Sequence, residues 1–248
     1  MPNLKLDFIP ELKMPPFYIE VMKLIQSKMI TAIKENGLPP NETGIPTGNL
    51  TGCERSAMFI FEWVSEVNEI ITNLNIVIYD LKRLPQIKPP FQVSPRDRLY
   101  LVIRTYFSEF FRFRECFADF LHGLKLAKIL NKEEKNWYLN SFNTIFKNVI
   151  KLRNTMTHAQ ANWTGEDHLM LSLVESNYQF GNKLIGNATG ECIDYTKAIG
   201  RVRENYIPIM IAEGNDASRI LDQMTQGFAQ ILFEQMSSGN PNTESTEP

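Results

Sequence analysis

Long runs of apolar residues spaced three or four apart dominate this chain, and they constrain its fold more than any other feature. The clearest is Met58, Phe61, Val64, Val67, Ile71, Leu74, Ile78 and Leu81. That recurrence every three or four residues is the period of an amphipathic α-helix and not the alternation of a strand. The pattern predicts a helix from about Cys53 to Leu84, stopped by Pro85, Pro89 and Pro90. A shorter run, Val21, Leu24, Ile25, Met29 and Ile33, predicts a helix over Phe17–Asn36 with Gly37 as its stop. The residues before it, up to Pro15-Pro16, read as irregular, and Gly37 to Gly52 reads as a loop rich in Pro, Gly, Asn and Thr.

Ser94-Pro95 has the form of an N-cap followed by proline at the first helical position. The helix it opens is predicted to run to Leu130. It carries Tyr100, Tyr106, Phe107, Phe110, Phe111, Phe113, Phe117 and Phe120, aromatics nearly all round, which calls for burial on more than one side by a bundle or by a second subunit. Asn131 with Glu134 fits a capping box. The fourth helix that follows, with Trp137, Leu139, Phe142, Ile145, Phe146, Val149 and Leu152 on its apolar face, is expected to continue to His158.

Beyond His158 the pattern weakens. Trp163 to Asp167 reads as a turn, Leu169 to Val174 as a short strand or a helix turn, and Gly186 to Gly190 as a loop. Helical spacing resumes near Cys192 and from Ala217 to Met236, with a break expected at Pro208 or Gly214. The predicted architecture is all-α, an up-and-down bundle of about five or six helices. It forms a single helical domain over 1–236, with a motif-bearing core at about 95–160 and a disordered tail over 237–248 that has no apolar residue after Met236.

The chain's length of 248 residues suffices for a substantial core without disulfides or metals. Cys53, Cys116 and Cys192 are odd in number and widely separated, which fits free thiols in a reducing compartment and offers no zinc spacing. No stretch of about 18 apolar residues suggests a membrane span, and the start lacks the form of a secretory signal. A soluble, cytoplasmic protein without cofactor or metal is the expectation. The net charge of −2 conceals an asymmetry: residues 82–154 hold 15 Lys and Arg against 6 Asp and Glu, while 1–81 hold 6 against 10 and 155–248 hold 5 against 12. A basic middle between acidic ends can hold a polyanion in one place.

That basic stretch ends in Lys147-Asn148-Val149-Ile150-Lys151-Leu152-Arg153-Asn154-Thr155-Met156-Thr157-His158. On a helix Asn154 and His158 share a face, and Arg153 lies about 140° round from His158 with a side chain long enough to swing toward the same end. Arginine offers phosphate oxygens a fixed fork of donors. Histidine titrates near neutrality and can move a proton. Asparagine can orient the histidine or donate to phosphate. RNA carries its own nucleophile in the 2′-hydroxyl, so these three residues could cleave it without an activated Ser or Cys. A structural role competes: Arg153 as a charge favoured by the helix C-terminus, with His158 a nearby cap.

Arg153-Asn154-x-x-x-His158 after an amphipathic helix resembles the Arg-(polar)-x(4–6)-His motif of HEPN domains. The likeness rests on about a dozen residues plus the order of helices, from Arg96 to His158. It implies a helical bundle that dimerises, with a composite active site between the two copies. The implied activity is metal-independent endoribonuclease action leaving a 2′,3′-cyclic phosphate, with roles in bacterial defence, toxin systems or RNA processing. The catalytic set it implies is Arg153, Asn154 and His158. HEPN toxins paired with a nucleotidyltransferase antitoxin carry a tyrosine two residues after the histidine. Gln160 stands there in this chain, so control through that tyrosine is not supported, and any antitoxin or regulatory partner is unknown.

Arg112 and Arg114 on the third helix, with Lys147 and Lys151 on the fourth, are candidates to line an RNA path, set against the commoner solvated role of such side chains. Glu109 and Arg112 are spaced to pair. His122, mid-helix, and His168, in an expected loop, read as ordinary helix and loop histidines. The alternative to an enzyme is a non-catalytic helical module that binds a protein or a nucleic acid.

Overall fold

The computed structural model describes residues 8–37, 52–84, 95–126, 128–158, 173, 175–176, 180, 184–185, 192–193 and 195–237. The fold is an all-α helical bundle. Its described helices are α1 (Pro16–Asn36), α2 (Gly52–Arg83), α3 (Pro95–Leu126), α4 (Lys132–Ile145), α5 (Lys147–His158) and α6 (Tyr195–Ser237). Between α5 and α6, Leu184–Ile185 (β1) pairs antiparallel with Cys192–Ile193 (β2), Leu184 opposite Ile193. No described helix is long and apolar enough to cross a membrane.

Two helix ends follow their sequence signals, at Gly37 and at Asn131, while the expected Ser94 cap lies outside the described residues. Gly37 takes a φ of 72°, and its N–H closes α1 on the Ile33 carbonyl at 2.9 Å. At the start of α4, Asn131 Oδ1 accepts from the Glu133 and Glu134 amides at 2.8 and 2.9 Å, while the Asn131 amide donates to Glu134 Oε2 at 2.8 Å. That is the reciprocal capping box.

Three expectations are corrected. The third helix stops at Leu126 rather than Leu130. Lys128 adopts a φ of 59°, its N–H bonds to the Lys125 carbonyl, and the Ile129 N–H bonds to the Leu124 carbonyl. This is a Schellman closure with lysine where glycine is usual. The fourth segment is two helices. Phe146, buried and edge-on to Phe110 at 5.4 Å, interrupts it, and its carbonyl accepts from Ile150 at 3.0 Å as α5 begins. Finally, α6 runs unbroken through Pro208 and Gly214. Pro208 is exposed, so the Glu204 carbonyl, itself at an exposed residue, has water as a partner for the bond that proline cannot donate. Gly214 is buried, and a Cβ there would come within 2.2 Å of Ile9 Cδ1. The glycine makes room for packing and does not end the helix.

The expected turn at Trp163–Asp167, the Leu169–Val174 run apart from Leu173, the Gly186–Gly190 loop and the tail beyond Ser237 lie outside the described residues, as do 38–51.

The chain divides into two compact units. Unit 1 comprises Met1–Pro10, Ile70–Phe113 and Asn143–Ala217; unit 2 comprises Glu11–Glu69, Arg114–Phe142 and Ser218–Pro248. In unit 1, Phe110 meets Phe113 and Phe146 edge-on, both at 5.4 Å. Tyr106 buries its ring and donates its hydroxyl to the Met210 carbonyl at 2.5 Å. Buried Asn75 holds Ile9 from both sides, accepting from its N–H at 2.8 Å and donating to its carbonyl at 2.9 Å. In unit 2, Trp63 stacks on Phe120 at 4.7 Å, and its indole N–H donates to Thr225 Oγ1 at 2.9 Å. Asn68 grips Leu12 as Asn75 grips Ile9, at 2.8 and 3.2 Å. These amides pair backbone groups of a non-helical segment that would otherwise be buried unpaired.

Six of the eight aromatic residues of α3 are buried within this one chain; Tyr100 and Phe111 are half-buried. The aromatic helix therefore needs no second subunit to cover it.

Candidate functional site

Arg153 and Asn154 lie on α5, whose last residue is His158. The helix exists because Val149 is buried and Ile150 and Leu152 are half-buried, leaving Lys147 and Lys151 exposed one turn apart. It belongs to unit 1. The Arg153 guanidinium sits over the Phe111 ring of α3, 4.2 Å from its centroid. That lies within the roughly 6 Å over which a ring face attracts a cation. Its Nη1 also donates to Asn154 Oδ1 at 3.1 Å. A flexible side chain is thus fixed at two points, by a ring beneath and an amide beside it. Asn154 is exposed. Backbone placement puts Asn154 and His158 on one face of α5, four residues apart, at its C-terminal end; the His158 side chain lies outside the described residues.

No family model, curated protein or solved structure matches this chain.

The other sequence candidates are distributed unevenly. Lys147 and Lys151 share α5 with Arg153. Arg112, also in unit 1, is half-buried and pairs with Glu109 Oε2 at 2.8 Å, as its spacing suggested. The same oxygen accepts from Asn73 Nδ2 of α2 at 3.1 Å. Arg112 is therefore part of an inter-helix network as well as a basic group. Arg114 is half-buried and belongs to unit 2. His122, in unit 2, is exposed, and its Nδ1 lies 3.4 Å from Lys135 Nζ. His168 lies outside the described residues. Among the described residues no cluster of three or more His, Cys, Asp or Glu could hold a metal.

Phe111 is the residue that sequence reasoning missed. In the sequence it is one aromatic of eight on its helix, and no local signal marks it as the ring that meets a cation 42 positions later. Its half-burial, against the full burial of Phe110 and Phe113 beside it, is the structural sign.

Proposed function

We propose that the chain is a metal-independent endoribonuclease of the HEPN type, with Arg153, Asn154 and His158 as its catalytic set. The observation that carries this reading is the ordered Arg153–Asn154 pair on a helix that ends at His158. A guanidinium held over a ring and tied to the neighbouring amide loses less rotamer freedom when it takes up a phosphate. In the reaction the RNA 2′-oxygen attacks the adjacent phosphorus and the bond to the 5′-oxygen breaks. The products are a 2′,3′-cyclic phosphate and a 5′-hydroxyl. His158 moves a proton at the 2′-oxygen or the leaving oxygen, and Arg153 offsets the charge that builds on the phosphorane. Lys147 and Lys151 extend the basic surface for the RNA backbone, with Arg112 and Arg114 as further candidate contacts. A second copy completing the site, a cytoplasmic setting and a role in bacterial defence or a toxin system belong to the same reading.

The test is incubation of the purified protein with total RNA, with and without EDTA. Cleavage is expected in both. His158→Ala and Arg153→Ala should each lower it by on the order of 10²-fold or more with the fold intact. Arg153→Lys should rescue only in part, since a point charge lacks the fork. His122→Ala is the control and should leave cleavage near that of the parent. A His158→Ala protein that cuts as fast as the parent sinks the assignment. Light scattering tests the dimer, with a mass of 28.6 kDa at micromolar concentration counting against it.

A second reading, a non-catalytic helical module that binds a protein or nucleic acid, draws on the same contact. Arg153 over Phe111 also fastens α5 to α3, a job that needs no substrate. An intact fold that binds RNA without cutting it would favour this module.

A further inference from the structure

We propose that Lys82, Arg83 and Arg203, gathered at the C-terminal end of α2, form a phosphate contact for an RNA backbone that uses none of the motif residues; RNA as the ligand rests on the reading above. All three lie in unit 1. The basic stretch of the sequence begins at Lys82, whereas Arg203 comes from the acidic last third of the chain. The fold joins them, since Arg203 Nη2 donates to the Lys82 carbonyl. The two cations of the last turn are backed by rings. Lys82 Nζ lies 3.9 Å from the centroid of Phe8. The Arg83 guanidinium lies 5.3 Å from that of Tyr79, whose hydroxyl also accepts from its Nη1. A cation in the last turn of a helix suits the helix dipole, but one would serve. Three are present, and among the described residues none of them forms an ion pair, although Asp80 and Glu204 are close in sequence. Lys23, Lys28 and Arg112 differ, meeting carboxylates at 3.1, 2.6 and 2.8 Å. Like charges gathered without a counter-charge raise the local potential, which a polyanion relieves. Arg203 Nε is buried with no hydrogen-bond acceptor, an unmet donor that a phosphate oxygen would satisfy. Cations interleaved with rings are the pattern that suits single-stranded nucleic acid better than a free anion.

The experiment measures binding of the full chain to a 2′-O-methyl oligouridine, which cannot be cut, by fluorescence anisotropy across a salt series. Arg83→Glu should weaken binding by on the order of tenfold and flatten the slope of log affinity against log salt by roughly 0.7 or more, one contact's worth. Arg83 is exposed, so this variant keeps the fold and carries the test even if Arg203→Gln, which loses the bond to the end of α2, does not fold. Lys82→Gln should move both readouts in the same direction. Lys125→Glu makes the same reversal at an exposed lysine in the last turn of α3, in unit 2, and should bind within about twofold of the parent. If Lys125→Glu weakens binding as much as Arg83→Glu, net charge alone is at work and the proposal is overturned. Parent-like binding in Arg83→Glu overturns it too, as does a parent that does not bind the oligomer. Inorganic phosphate or poly-glutamate at matched ionic strength should leave the oligomer bound; displacement by either marks a small-anion or acidic-peptide site and overturns the RNA assignment. Where the parent cuts RNA, Arg83→Glu should raise KM with kcat within about twofold, since the contact is made equally in ground and transition states. If the parent binds the oligomer through these residues but cuts no RNA, the ribonuclease reading falls and the site stands. If it cuts RNA and Arg83→Glu moves neither KM nor affinity, the site falls and the reading stands.

Discussion

In unit 2 rings meet rings. Trp63 stacks on Phe120, Phe228 stands edge-on to both Phe120 and Tyr138, and Phe117 packs against Phe142. The one polar atom of that indole is satisfied by Thr225, whose hydroxyl in turn bonds the Leu221 carbonyl at 2.7 Å. In unit 1 Phe110 meets Phe113 and Phe146 in the same way, but other rings face cations: Phe111 lies under Arg153, Phe8 under Lys82 and Tyr79 under Arg83. Both units draw aromatics from α3, so aromatic content does not separate them. What separates them is the partner of the marginal ring. A ring spent on another ring stabilises the fold, whereas a ring spent on an arginine also holds a charge at an address.

The largest effect that could break this comparison is Trp63→Ala. It removes a buried ring stack and leaves a cavity, which should lower unfolding free energy by about 3–5 kcal/mol. Under conditions where the variant stays folded, RNA cleavage should remain within about twofold of the parent. His158→Ala should do the reverse, abolishing most cleavage with little change in the urea midpoint. A Trp63→Ala protein that is folded yet inactive would show that unit 2 takes part in the chemistry, and the division drawn above would be wrong.

Gly214→Ala probes the packing of unit 1 at intermediate size. Alanine favours a helix interior over glycine by up to about 1 kcal/mol, but its Cβ would press on Ile9 Cδ1 and Cγ1 at 2.2 and 2.8 Å and approach the Tyr106 hydroxyl at 3.2 Å. Ile9 is buried and its backbone is clamped by Asn75, so the side chain has little room to yield. Overpacking of this kind costs about 1–3 kcal/mol and should outweigh the propensity gain. A thermal midpoint higher than the parent's would mean that Ile9 moves freely.

The contrast between Gly37 and Gly214 shows what the sequence could and could not reveal. Both read as helix breakers. Gly37 is one, because the apolar run stops there and its φ of 72° lets its N–H close α1 on the Ile33 carbonyl. Gly214 is not, because Ile9, some 200 positions earlier, fills the space its missing side chain leaves, and no local window contains that fact. Lys128 errs in the opposite direction, since a helix end built on lysine in a left-handed conformation carries no glycine to announce it. The long helices were legible because burial repeats every three or four residues. Arg153, Asn154 and His158 were legible as a motif because they are close in sequence, but Phe111 was not, since the contact that distinguishes it joins two helices. The Glu109–Arg112 pair was legible for the same reason of spacing, although Asn73 reaching the same carboxylate from α2 was not.

The smallest expected effect also lies in unit 1. Burial pushes the Glu213 carboxyl above its ordinary range, with nearby Asp216 adding to the shift. A carboxyl raised in the folded state binds its proton more tightly there than in the unfolded chain. Below the ordinary glutamate range it is protonated in both states and costs nothing; as pH rises through that range and past the raised value, the folded state alone bears the strain of ionising it. Glu213→Gln removes the charge at every pH. It should therefore stabilise the protein at pH 7, by less than about 1 kcal/mol because the group is partly solvated, and the gain should fade as pH drops below about 4. Urea midpoints of parent and variant at pH 7 and pH 4 check this. A gain that grows toward acid pH would mean that the ionised carboxylate is held by a partner in the fold, and that the polar groups of unit 1 outside the Arg153 contact also hold charge in place.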